Sequence, residues 1–175
     1  MPDINIITRG QAFQINYTKN DVLIVFNNAM DNSFMYDFRK NSLLKNESLN
    51  NVPILEITTD AITPVFYNEI LYFLFRHTVY IPFLFKLVNR LYNFKKTLKH
   101  QLFDLESGKK IIRFAERHNY SNFYIACEYG KDRAVTTGYF LNKYILKQHS
   151  PSEFLSKKNT YIYNCLDYLY FRKKY

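Results

Sequence analysis

The stretch Phe123-Tyr124-Ile125-Ala126-Cys127-Glu128-Tyr129-Gly130-Lys131-Asp132-Arg133-Ala134-Val135-Thr136-Thr137-Gly138 passes from an apolar run, through a short polar loop, into residues at helical spacing. An apolar run bounded by polar residues predicts a buried strand that ends near Cys127. Cys127 and Arg133 stand six positions apart, a separation that lets a tight loop turn successive backbone N–H groups inward. Gly130 supplies a backbone angle that other residues resist. The helix that follows carries partial positive charge at its N-terminus, which favours an anion, and the fork of Arg133 suits two anionic oxygens. Strand, nest and helix together predict a loop, residues 127–133, built to hold a phosphate group.

Working outward, three more short apolar runs rich in β-branched residues fall at residues 4–7, 22–26 and 54–57, and with 123–126 they predict a small sheet. Helical spacing marks residues 106–118, 134–147 and 152–170; in the last, Ile162, Cys165, Leu166 and Leu169 share one face. That alternation predicts an α/β domain with a small central sheet flanked by helices. Residues 28–51, rich in Asn, Asp, Ser and Lys, read as a loop with a short helix.

The 175 residues fit one domain, 1–175, and 47% apolar content supports a sizeable core. A net charge of +9 attracts phosphorylated groups, nucleic acid and anionic membranes alike. The basic residues are scattered, with short clusters at Lys95-Lys96, Lys109-Lys110, Lys157-Lys158 and Arg172-Lys173-Lys174 that read as solvated surface, so nucleic acid is not the expected partner. Two cysteines and no apolar leader point to a reducing cytoplasm. The most apolar stretch, 65–91, is interrupted by Glu69, Arg76, His77, Lys86 and Arg90 and does not read as a membrane span.

The residues around Cys127 resemble the cysteine-dependent protein tyrosine and dual-specificity phosphatases, whose loop reads His-Cys-x-x-Gly-x-x-Arg followed by Ser or Thr. Cys127, Gly130 and Arg133 match; Ala126 stands in place of the His and Ala134 in place of the hydroxyl. Lys131-Asp132-Arg133 is similar to the Gly-Lys-Asp-Arg version of bacterial tyrosine phosphatases, some of which also accept phosphoinositides. Residues 102–104 and 111–115 resemble the helix before the catalytic strand, and residues 54–62 the strand and loop that carry the general acid. The resemblance implies a protein tyrosine phosphatase-like fold and a phosphatase acting on phosphomonoesters, phosphotyrosine proteins among them, through a phosphocysteine. It implies Cys127 as nucleophile, Arg133 and loop residues Glu128, Tyr129, Gly130, Lys131 and Asp132 as the phosphate cradle, and Asp60 as general acid. No metal or cofactor is called for.

Ala126 and Ala134 leave a second expectation open, a pseudophosphatase that binds a phosphorylated partner without turning it over, unless Thr136 or Thr137 replaces the missing hydroxyl. Replacing Cys127 or Arg133 is expected to remove activity with little effect on folding. Asp104 reads as a helix cap and Cys165 as a core residue, while His77, His100, His118 and His149 lack metal-ligand spacing. Residues 64–94 read as a helical, aromatic-rich insertion packed beside the active-site face, contributing to substrate selection or to a homodimer; simple burial in the domain core and contact with a membrane surface are the other ways to cover it.

Overall fold

The structure, a computed structural model, describes residues 1–28, 46–59, 103–148 and 159–172. Four parallel strands form one sheet in the order β1-β4-β2-β3: β1 is Ile4–Thr8, β2 Asp21–Asn27, β3 Ile54–Thr58 and β4 Asn122–Cys127. Each expected strand forms, and each gains one residue at one or both ends. β2 is buried along its whole length, as a near-continuous apolar run in a parallel sheet covered on both faces should be. β4 lies between β1 and β2, with Thr8 opposite Cys127 and Val25 opposite Ala126.

Successive side chains alternate between two cores. On one face Val22, Ile24, Phe26, Ile57, Phe123, Ile125 and Cys127 pack with three helices, α2 (Leu105–Arg117), α3 (Asp132–Phe140) and α4 (Thr160–Arg172). On the other, Leu23, Val25 and Ala126 pack with Ala12 of the single turn α1 (Arg9–Ala12) and with Leu49 of a 3-10 turn, Glu47–Asn51. The molecule is therefore α/β, a small sheet with helices to either side.

Local chemistry sets the helix positions. Asp104 caps α2, its carboxylate accepting the Ser107 N–H at 2.7 Å, and Gly108, Ile111, Ile112 and Ala115 form the buried stripe. Gly138 lets α3 lie directly on β1, because a Cβ there would come within 2.7 Å of the Ile6 Cδ1. The expected regular helix over 134–147 is corrected in its second half: α3 widens into a π-helical turn, Leu141–Leu146, and stops at Lys147, whose backbone is left-handed (φ 54°). The wide closure is held by Gln148, whose N–H reaches the Asn142 carbonyl at 2.9 Å and whose amide reaches the Pro2 carbonyl at 2.9 Å. α4 carries Ile162, Cys165 and Leu166 into the core as its spacing predicted; the earlier part of that segment, 149–158, lies outside the described residues, as does the 64–94 insertion. Among the described residues no helix is long and apolar enough to cross a membrane.

At the amino edge of the sheet, buried Asp21 accepts hydrogen bonds from the Thr18 N–H (2.7 Å), the Thr18 hydroxyl (2.9 Å) and the Asn122 amide (3.0 Å), joining the starts of β2 and β4. Burial pushes its carboxyl upward, but the hydrogen bonds from Thr18 and Asn122 outweigh it, so the net direction is down from 3.8. A depressed folded-state value adds stability that is complete above the unfolded-chain value and is lost as the pH falls through the folded one. Asp21→Asn should therefore lower the urea midpoint at neutral pH and flatten its decline below pH ~4. Parallel pH curves for the two proteins would contradict this role.

Candidate active site

The loop after β4 is anchored to both neighbouring strands. Cys127 ends β4 at 3% exposure, its Sγ 3.6 Å from the Lys131 carbonyl oxygen across the loop. Gly130 turns the chain with φ 61°, its N–H donating to the Cys127 carbonyl at 3.3 Å. A Cβ at this glycine would lie 3.2 Å from the Ile7 carbonyl and 3.3 Å from the Thr8 nitrogen, so only glycine combines this angle with this approach to β1. Lys131 then leads into α3 with no side chain capping the helix N-terminus. Uncapped first-turn N–H groups together with the helix dipole make that end receptive to an anion. Lys131 and Asp132 are exposed, Tyr129 is 69% exposed, and half-buried Glu128 accepts the Asn28 amide at 2.5 Å.

The topology supplies the crevice. From β1 the chain turns into α1 on one face of the sheet; from β4 it turns into α3 on the other. Adjacent parallel strands whose connections leave to opposite faces part at their carboxyl ends, where open α/β sheets bind ligands. Cys127 and Thr8 flank that parting directly.

Arg133 does more than the sequence suggested. Its side chain is 2% exposed, and its Nη1 donates to the Asn27 carbonyl at 3.5 Å and to the Thr59 carbonyl, past the ends of β2 and β3. The expectation that Arg133 is dispensable for folding is thereby corrected: a buried guanidinium is part of the sheet edge, and truncation removes its buried hydrogen bonds to that edge. The same edge holds Asn27, whose amide donates to Glu56 at 3.1 Å while its buried Oδ1 has no partner among the described residues.

The two departures from the phosphatase pattern fall in the core. Ala126 is fully buried on the α1 face, and Ala134 is fully buried on the α3 face with Cys127. Thr136 is committed elsewhere, donating to the Asp132 carbonyl at 2.5 Å and accepting the Asn159 N–H at 2.6 Å, so it ties α3 to the start of α4. The Thr137 hydroxyl is buried and makes no hydrogen bond among the described residues. Cys165 is fully buried, and burial drives its thiol far above the ordinary range, as befits a core residue. His118 closes α2, and no three His, Cys, Asp or Glu residues gather to hold a metal among the described residues. Asp60 lies outside the described residues, one position past Thr59.

Comparison with protein-family models, curated proteins and solved structures gave no match to this chain.

Arg133→Ala should cost about 1–3 kcal/mol of stability through the buried hydrogen bonds it removes from the sheet edge, read from urea unfolding. Thr136→Val should cost a similar amount, about 1–3 kcal/mol, whereas Thr137→Val, which breaks no hydrogen bond, should stay within about 0.5 kcal/mol of the parent. Equal losses at the two threonines would contradict the assigned bonding.

Proposed function

We propose that this chain is a cysteine-dependent phosphatase with a protein tyrosine phosphatase-like fold, hydrolysing phosphomonoesters, phosphoproteins and phosphotyrosine among them. The observation that carries the reading is the placement of Cys127 and Arg133 at the two ends of one loop, turned by left-handed Gly130, between a parallel strand and an uncapped helix N-terminus. In the first step the Cys127 thiolate attacks phosphorus, an S–P bond forms, and the bond to the leaving oxygen breaks. Asp60 donates the proton that this oxygen takes up. Loop N–H groups and the Arg133 guanidinium, whose five donors can serve a sheet edge and an anion together, carry the charge on the equatorial oxygens. Water then attacks the phosphocysteine, releasing phosphate and the thiolate. A reducing cytoplasm would keep the thiol available.

A second reading has its own support. Ala134 brings no hydroxyl to the loop and Thr136 is bonded away from it, so the sulfur leaves the phosphoenzyme without that assistance. A pseudophosphatase, retaining a phosphorylated partner without release, would be the limiting case.

The test is hydrolysis of an aryl phosphate. The parent protein should turn it over, and Cys127→Ser should abolish turnover by several orders of magnitude while leaving the unfolding midpoint near the parent's. Retained turnover in the serine variant would overturn the mechanism. Asp60→Asn should slow poor leaving groups by about 10²–10⁴-fold and good ones far less; equal loss for both would remove Asp60 from the acid role. Ala134→Ser should speed phosphoenzyme breakdown in burst kinetics without changing the burst rate, and binding without any burst in the parent would favour the pseudophosphatase.

A further inference from the structure

The helices α2 and α4 are pressed together: at the start of α4 the Tyr161 hydroxyl donates to the Phe103 carbonyl at 3.0 Å, and a Cβ on Gly108 in the first turn of α2 would come within 2.6 Å of the Leu169 Cδ1 in the last turn of α4. Further along they leave a cleft of about 250 Å³, lined by Lys109, Ile112, Arg113, Leu169 and Arg172. Buried Ile112 and half-buried Leu169 give it an apolar lining, and among the described residues its charged lining is Lys109, Arg113 and Arg172. Lys109 and Arg172, 63 positions apart, belong to two basic clusters, Lys109-Lys110 and Arg172-Lys173-Lys174, that the sequence left as solvated surface. The fold brings Lys109 and Arg172 to one opening.

The rim charges differ in how they are engaged. Lys109 meets Glu106 at 2.6 Å, and Arg172 donates to the Tyr168 hydroxyl with its guanidinium 5.4 Å from that ring. Exposed Arg113 makes no hydrogen bond or ion pair among the described residues. The volume, about 250 Å³, falls below the range usual for drug-sized ligands and suits one apolar side chain. A concave floor does not meet a flat bilayer, and an apolar floor offers nothing to a nucleic-acid backbone, whose affinity comes from phosphates.

We propose that this cleft docks an acidic peptide segment of a partner protein, with one apolar side chain seated on Ile112 and Leu169 and flanking carboxylates facing Arg113, Arg172 and Lys109. Anchoring by one side chain in a small pocket, with a charged rim that selects the partner, is how short segments are commonly recognised. The inference is independent of catalysis at Cys127.

The test is fluorescence anisotropy with a fluorescein-labelled peptide, Asp-Glu-Asp-Leu-Glu-Asp-Glu, titrated with the full chain. Binding should saturate, weaken with salt, and fall about tenfold when the peptide's Leu becomes Ala. Arg113→Glu and Arg172→Glu should each weaken it about tenfold, while Lys19→Glu, an equal charge change at an exposed site outside the cleft, should weaken it less than about twofold. Equal weakening by Lys19→Glu, indifference to the Leu-to-Ala change, or absence of saturable binding would each overturn the proposal. So would Arg113-dependent binding to vesicles of equal parts phosphatidylcholine and phosphatidylserine, or to a single-stranded oligonucleotide, with none to the peptide.

Discussion

The carboxyl edge of the sheet depends on β4 entering between β1 and β2. A parallel strand in that position has a partner on each side: β2 pairs with it through Ala126, and β1 pairs with it as far as its last residue, Cys127. Because α1 and α3 leave to opposite faces, β1 and β4 part at their carboxyl ends, beside Cys127. The loop that follows Cys127 is fastened twice, by Gly130 against β1 and by Arg133 at the ends of β2 and β3. Neither fastening is local.

Arg133 joins stability to the proposed chemistry. A guanidinium needed to complete a sheet edge is already ordered before an anion arrives, which reduces the entropy lost on binding. The coupling also sets a constraint: a variant that weakens phosphate grip here weakens the domain, and activity loss alone would not distinguish the two effects. Thr136 stands in a similar position, its hydroxyl spent on holding α4 to α3. With Ala134 buried beside the loop and Thr136 bonded away from it, the proposed mechanism has no hydroxyl from these positions to assist release of the phosphoenzyme.

Much of this was legible in the sequence. Uninterrupted apolar runs mark β2 and β4 because both faces of those strands are covered, and Asp104 announces α2 because a carboxylate before a helix answers its free N–H groups. Gly130 was legible for the same local reason, its backbone angle. What escaped depends on contacts between distant parts of the chain. The carbonyls that Arg133 serves lie 106 and 74 residues away, and no spacing rule reaches them. The π-helical turn after Phe140 is set by Gln148 reaching back to Pro2, and the cleft at Arg113 exists only once α2 and α4 lie side by side.

The central claim is that a phosphoryl group passes through Cys127, and the most direct measurement is to quench the protein in acid during reaction with an aryl phosphate and map the phosphorylated residue by mass spectrometry. The account predicts one phosphoryl group on the peptide containing Cys127, enriched in the parent relative to Ala134→Ser and absent from Cys127→Ser. Turnover with no phosphorylated Cys127, or with the phosphoryl group on another residue, would contradict it.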